Sequence, residues 1–184
     1  ANRTLTLNDE PPPGITSIRV IHESRRGKTA AVNRALSRET RGELVAILDD
    51  DMEPAPGWCA SVIRASAQRP AFDIFTGTSH VVWPEGVSRP AWSHHPFAVG
   101  CAFSAVDLGA RVDREMGVDA PAFPSGNHFW FRRRVLESVR EFPDSGLLTD
   151  AEFVLRARWA GHRGVFVPEV SCGHRIQPHL IDPR

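Results

Sequence analysis

The sequence predicts an α/β domain built on a mixed, mainly parallel sheet flanked by helices. Three observations point there. Short apolar runs alternate with segments of helical spacing, the pattern of strands joined by crossover helices. Pro and Gly clusters at residues 11–14, 54–57, 84–96 and 121–126 separate those segments as loops. The chain has 184 residues, 41% hydrophobic and 24% charged, which suits one globular domain over residues 1–184 and does not suit a disordered or fibrous chain.

Each element follows in order. Ile18 to Ile21 reads as a strand, followed by a polar loop and a helix from about Thr29 to Leu36, whose Val32 and Leu36 sit four apart and face a core. Glu43 to Leu48 (ELVAIL) is a short apolar run suited to a buried parallel strand. Pro56 in a first turn opens a helix carrying Trp58, Val62 and Ile63. Phe72 to Val82 is β-rich, with Phe72, Ile74 and Thr76 on one face. A strand at Phe129 to Phe131 leads into a helix around Arg134 to Val139. Thr149-Asp150-Ala151-Glu152 fits a capping box for a helix reaching about Ala160, closed by Gly161. Gly164 to Val167 is the last strand, followed by a segment ending at His174.

Composition narrows the function. With 22 Lys+Arg against 22 Asp+Glu the net charge is zero, which argues against a general nucleic-acid binder. Lys28 is the only lysine, so nearly every cation is an arginine fork. Cys59, Cys101 and Cys172 are an odd number, widely spaced and without a Cys-x-x-Cys pair. They fit a reducing compartment, and each reads as a small buried hydrophobe. No apolar run approaches a membrane span and the N-terminus has no signal pattern. A cytoplasmic location follows as an expectation.

The strongest motif is Leu48-Asp49-Asp50-Asp51-Met52-Glu53-Pro54. Three acids close an apolar strand, where an open α/β sheet binds its ligands. Alternation along a strand puts Asp49 and Asp51 on one side and Asp50 on the other. Two carboxylates on one side suit Mg²⁺ or Mn²⁺ held together with substrate phosphates; a solvated, helix-capping turn is the plainer reading. The second motif, Ser24-Arg25-Arg26-Gly27-Lys28-Thr29, ends like a phosphate-binding P-loop, but His22 stands where that motif requires Gly. What remains is a basic loop feeding a helix N-terminus, a place for a phosphate or for solvent.

These pieces, read together, resemble a known family. Val20-Ile21-His22-Glu23, Arg26-Gly27-Lys28, Asn33-Arg34-Ala35-Leu36, Leu48-Asp49-Asp50-Asp51, Pro54 and Trp58 resemble family 2 glycosyltransferases of the GT-A (nucleotide-diphospho-sugar transferase) fold, in order and spacing. Pro124-Ser125-Gly126-Asn127-His128-Phe129-Trp130-Phe131-Arg132-Arg133 resembles that family's "G.N.aFRR" strand beside the acceptor. Thr149-Asp150-Ala151-Glu152-Phe153 with Arg156, Ala160-Gly161-His162-Arg163 and Val167-Pro168 resembles its "ED.EL..R … aG.r….P" block, with Thr149 in place of the first acid. Cys172-Gly173-His174 matches the position of a family His. The resemblance runs from about Ile18 to His174, and the members most like this chain build bacterial exopolysaccharide or decorate cell-surface glycans.

The resemblance implies a metal-dependent inverting glycosyltransferase of hexosyltransferase type. A sugar would move from a UDP- or GDP-linked donor to a glycan or lipid-linked acceptor, with Mg²⁺ or Mn²⁺ as cofactor. Asp49, Asp51 and His174 would hold the metal, Asp51 directly. Asp9, Arg26, Lys28, Asn33, Asp49 and Asp50 would contact the nucleotide-sugar. Gly126, Asn127 and Glu152 would lie on the acceptor side, Glu152 doubling as a helix-cap residue, and Asp150 would be the general base. Family members begin with an apolar strand and helix ahead of a second strand ending in acids. This chain begins near that second strand, at Leu5 to Asp9, so the resemblance implies an N-terminally truncated domain. Many relatives work at the inner face of a membrane, which the resemblance leaves open here. The alternatives are a decayed GT-A domain that binds nucleotide or glycan without catalysis, and a nucleotidyltransferase, which would want a Gly-rich phosphate loop.

Several features carry less. His94-His95 lies in a Pro- and Trp-rich loop, a poor place for two adjacent residues to share one ion. Cys172 and His174 have no second pair to complete a zinc site. Arg132-Arg133-Arg134 divides over two faces of a strand end. Trp83, Trp92 and Trp130 suit either sugar stacking or the core, and residues 83–119 would shape the acceptor side.

Overall fold

Strand β5 (His128–Arg132) explains the architecture best, because its side chains are apolar on both faces. Phe129, Trp130 and Phe131 are all fully buried, so this strand must run through the middle of a covered sheet. The computed structural model describes residues 15–38, 41–107, 113–116, 126–144, 146 and 148–181. Contacts group the chain into two compact units, residues 1–40 and 41–184.

In the first unit, helix α1 spans Lys28–Arg38, slightly longer than expected. The expected strand at Ile18 to Ile21 does not form. Ile18 and Val20 are 43% and 58% exposed. Apolar character alone does not make a strand; a ladder partner must take the backbone N–H and C=O groups, and no described strand pairs with this segment. In the loop before α1, Glu23 accepts hydrogen bonds from the Arg25 backbone N–H (2.8 Å) and guanidinium. The Arg25 side chain holds the Glu23 carboxyl down at about 2.

The second unit carries the sheet. Its strands are β1 (Leu44–Leu48), β2 (Met52–Pro54), β3 (Ile74–Val82), β4 (Arg114–Met116), β5 and β6 (Gly164–Arg175). They pair in the order β1-β5-β3-β6-β2, with β4 on β6. Only β3 and β6 are parallel among these pairs; β1/β5, β3/β5, β2/β6 and β4/β6 are antiparallel. The sheet is therefore mixed, as expected, but not mainly parallel. Apolar runs report burial on two faces and not strand direction, and β5 inserts antiparallel between β1 and β3. For the same reason β1 pairs antiparallel with β5 and lies at the edge of the described sheet, with Ala46 exposed, instead of being a buried parallel strand.

Helices cover both faces. On one side α2 (Trp58–Gln68) packs Trp58, Val62 and Ala65 against Phe75, Trp130, Val165, Val167 and Cys172. Phe75 and Trp130 stack at 5.5 Å, and the Trp130 indole N–H donates to Ser66 Oγ at 3.0 Å. Ile63, expected on this face, is 63% exposed, and Pro56 lies two residues ahead of the helix. On the other side Phe131 meets Phe153 of α5 (Thr149–Trp159) at 5.2 Å, and Phe153 stacks on Phe142 at 4.1 Å. The remaining helices are α3 (Pro96–Phe103) and α4 (Val135–Val139). Helix α5 starts one residue earlier than a capping box requires. Leu148 is its N-cap, no side chain caps it, and Glu152 pairs with Arg156 one turn on (2.5 Å). Gly161 follows the helix end as expected.

Asp73 gathers charge at the start of β3. It accepts from Arg134 Nε (2.6 Å) and faces His162 Nδ1 (2.7 Å), tying α4 and the entry to β6 onto the sheet. His128 is buried on the α2 face, where its Nε2 accepts the Trp58 indole N–H at 3.0 Å. Indole only donates, so that nitrogen must be unprotonated. Burial pushes the His128 imidazole down to about 4. Unfolded histidine titrates near 6.5, so the unfolded chain binds the extra proton first as pH falls. Stability is thus whole above that value, declines as pH falls towards about 4, and this residue accounts for about 3 kcal/mol of the loss. Urea midpoints at pH 7 and 4.5 should show this fall in wild type and less of it in His128→Gln. Equal falls would assign the loss to other groups.

Cysteine burial is a further correction, since Cys172 alone is buried and Cys59 and Cys101 are exposed. Desolvation raises the Cys172 thiol to about 12. At pH 8 two thiols should react promptly with Ellman's reagent in native buffer, and the third only after denaturant. Three prompt thiols would contradict this core assignment.

Candidate active site

The acidic motif lies in a turn. Strand β1 ends at Leu48, and the Met52 N–H donates to Asp49 O at 3.2 Å, so residues 49–52 fold back on themselves. Strand alternation therefore does not apply, and Asp49 and Asp51 are not placed side by side by a pleat. What the turn does is join opposite ends of the pairing order. Leu48 and Met52 can be at most about 14 Å apart along the chain. Four strand spacings in a flat sheet would be about 19 Å. The sheet must therefore curl at this end.

The curl has a visible cause. Gly77 pairs with Val167 but Thr78 pairs with Ser171, so Pro168 to Val170 bulge out of β6. A bulge of this kind bends the strand and adds twist. It presses the Val170 carbonyl onto Gly77 so closely that any Cβ there would overlap it, which is why that position is glycine. Beyond the bulge, β6 runs under β2, pairing His174 with Met52. The Arg175 N–H donates to Asp51 O at 2.9 Å, and Arg175 pairs with Glu53.

This brings His174 Nε2 to 3.2 Å from Asp51 Oδ2. The other ring nitrogen, Nδ1, lies 2.7 Å from Phe103 O. A carbonyl can only accept, so Nδ1 carries a proton, and in the neutral ring Nε2 turns a lone pair towards the carboxylate. Two acceptors then face each other, and the second Asp51 oxygen, Oδ1, is buried with no hydrogen-bond partner among the described residues. A cation between the two side chains satisfies the facing Nε2 and Oδ2. Neighbouring ligands of an octahedral ion at about 2.1 Å lie about 3 Å apart, close to the separation seen. A histidine that gives its second N–H to a backbone carbonyl is also the usual arrangement of a metal ligand. The donor pair, one carboxylate and one imidazole, thus fits a divalent cation that takes its remaining ligands from phosphate and water.

The same rim continues across the sheet. The Asp49 N–H donates to Asn127 O at 3.2 Å, extending the β1/β5 ladder by one residue. Gly126 then lies directly against the Asp150 carboxylate in the first turn of α5, where a Cβ would overlap it. Asp51, His174, Asp49, Asn127, Gly126 and Asp150 therefore follow one another along one end of the sheet. Asp49 does not complete a trio with Asp51 and His174; no group of three such ligands occurs among the described residues. Asp50 is exposed on the turn, and Glu152 turns to Arg156. Arg26 is exposed in the first unit, and Lys28 and Asn33 lie in α1. Asp9 lies outside the described residues. Phe103 has no sequence signal, because its part is played by a backbone carbonyl.

Comparison with known proteins fits this geometry. The sequence profile of glycosyl transferase family 2 matches residues 12–140. The chain belongs to glycosyl transferase family 2. No curated protein matches the sequence. Among solved structures, the fold is similar to the mannosyltransferase PcManGT from Pyrobaculum calidifontis, solved with GDP-Man and Mn²⁺: 25% identity, TM-score 0.56, covering 85% of this chain and 39% of that one. Glucosyl-3-phosphoglycerate synthase from Mycobacterium tuberculosis, in complex with phosphoglyceric acid, is 18% identical with a TM-score of 0.49, covering 85% of this chain and 50% of that one. This family 2 chain spans half or less of the length of either structure. Its α/β sheet flanked by helices is the GT-A-like class expected. Among the described residues, no helix is long and apolar enough to cross a membrane.

Proposed function

We propose that this glycosyltransferase moves a hexosyl group from a UDP- or GDP-linked donor to a hydroxyl of a glycan or lipid-linked acceptor, with inversion. The observation that carries this reading is the close approach of Asp51 Oδ2 to His174 Nε2, with Oδ1 buried and without a hydrogen-bond partner among the described residues, on the same sheet end as Asp150. Asp51 and His174 hold Mg²⁺ or Mn²⁺, and Asp49 and Asp50 border the donor. The bound cation supplies positive charge to the diphosphate leaving group. Asp150 accepts the proton of the acceptor hydroxyl as its oxygen bonds to the anomeric carbon and the bond to the diphosphate breaks. Gly126 and Asn127 bound that position, where Gly126 leaves room for the carboxylate. One displacement with one base predicts inversion without a covalent intermediate. That a similar mannosyltransferase binds GDP-Man and Mn²⁺ supports the donor class.

Isothermal titration of the chain with UDP and GDP, with and without Mn²⁺, tests the reading. Metal-dependent binding of one nucleotide is expected. Binding of neither would defeat the proposal, and binding without hydrolysis or transfer of any sugar nucleotide would leave a non-catalytic nucleotide-binding module.

A further inference from the structure

Three side chains from separate elements line up away from the acidic rim. The Ser138 hydroxyl of α4 lies 3.1 Å from His162 Nε2, and His162 Nδ1 lies 2.7 Å from Asp73 Oδ2. Asp73 O takes the Arg132 N–H at 2.8 Å, so this cluster stands at the far end of β5 from Asn127. We propose that Ser138, His162 and Asp73 form a second catalytic site, in which Ser138 takes the acyl group of a small carboxylic ester and passes it to water.

The order of donors and acceptors is the first support. Asp73 pairs with the Arg134 guanidinium, and a carboxylate in such a pair only accepts, so the proton between Asp73 and His162 sits on Nδ1. In the neutral ring Nε2 is then an acceptor, and the group facing it is a hydroxyl able to donate. A nucleophile hydrogen-bonded to a base, with the base oriented by a third group, is the arrangement that activates a serine.

The surroundings hold that order in place. Arg134 Nε occupies Asp73 Oδ1 at 2.6 Å, which leaves Oδ2 to the imidazole. The His162 N–H donates to Ala157 O at 3.1 Å, fixing the backbone behind the ring. The His162 side chain is only 13% exposed, whereas Ser138 is open to solvent, so the base is sheltered and the nucleophile can be reached. Arg140, two residues past Ser138, takes a φ of 66°, and the Glu141 N–H bonds back to Val139 O at 2.8 Å. This tight turn is strained for a residue with a side chain, and it stops α4 directly after the serine. The fold itself gains little from the serine contact, because an exposed hydroxyl bonds water instead at little cost.

The chemistry balances without a further reactant. As Ser138 Oγ bonds to the acyl carbon, its proton passes to His162 Nε2 and on to the alcohol oxygen, whose bond to that carbon breaks. Water then attacks the same carbon, gives its proton through Nε2 to Ser138 Oγ, and the carboxylic acid leaves. Asp73 is a positioning residue that keeps the proton on Nδ1. Because Ser138 meets its substrate from solvent, a small acyl group suffices and no enclosing pocket is needed.

The test is labelling of the 184-residue chain with a fluorophosphonate probe, located by peptide mass spectrometry, together with hydrolysis of p-nitrophenyl acetate. Label is expected on Ser138 in native buffer and not in urea. Ser138→Ala should fold as wild type does and lose both the label and the hydrolysis. His162→Gln should slow labelling of Ser138 about 10²-fold or more. Nitrogen-15 NMR should place the imidazole proton of wild-type His162 on Nδ1, and Asp73→Asn should remove that preference. Absence of label on Ser138 of the native chain would overturn the assignment. So would labelling at an equal rate in urea or in His162→Gln, a proton on Nε2 in wild type, or an unchanged preference for Nδ1 in Asp73→Asn.

Discussion

Asp51→Ala is expected to abolish Mn²⁺-dependent nucleotide binding and to lower sugar transfer on the order of 10³-fold, the worth of several kcal/mol of leaving-group stabilisation. The expectation follows from how the carboxylate is spent. One oxygen faces His174 Nε2 at 3.2 Å and the other is buried without a hydrogen-bond partner among the described residues, so neither accepts a backbone hydrogen bond there. Removing the side chain should therefore cost ligand and not structure. Mn²⁺ should raise the Tm of wild type and leave that of Asp51→Ala where it is. Asp50→Ala, one residue away but exposed, should bind metal and nucleotide nearly as well as wild type. A variant that loses Asp51 yet keeps metal-dependent nucleotide binding would show that the cation is held elsewhere.

The members of this candidate site are legible in the sequence because the proposed chemistry is carried by residue type. Asp51, His174, Gly126 and Asp150 were each identified by motif, although 123 positions separate the first pair's members in number (174 − 51). Their assembly was not legible. It depends on the bulge at Pro168 to Val170, which curls the sheet, and a bulge has no periodicity to detect. Helical spacing and apolar runs located α2, β3, β5 and α5 within a few residues. They could not give strand direction, since burial on two faces is common to parallel strands and to the antiparallel β5. Ile18 to Ile21 shows the opposite limit, an apolar run without a ladder partner. The acids at 49–51 depart from the expected alternation because a turn breaks the pattern that a strand would impose.

Gly126 offers a test of the base that does not touch its carboxylate chemistry. Asp150→Asn should leave nucleotide binding intact and reduce transfer by about 10²- to 10⁴-fold, the usual worth of a positioned general base. That result alone would not exclude a purely structural part for Asp150 at the head of α5, where a carboxylate also complements the helix N-terminus. Gly126→Ala separates the two. Its Cβ would occupy the place of the Asp150 carboxylate, and the two nearest atoms, Oδ2 and Cγ, belong to that carboxyl and not to backbone, with the Asp150 Cβ at 3.1 Å. The fold can accommodate it by turning Asp150 aside, so Tm should change little. Asp150 would remain at the helix N-terminus with its charge, but no longer on the rim beside Asn127. If Asp150 is the base, Gly126→Ala should lose most of the transfer that Asp150→Asn loses, in kcat more than in the KM for donor. If the carboxylate serves only the helix, transfer by Gly126→Ala should stay close to wild type, and the base must be sought among other groups facing the acceptor.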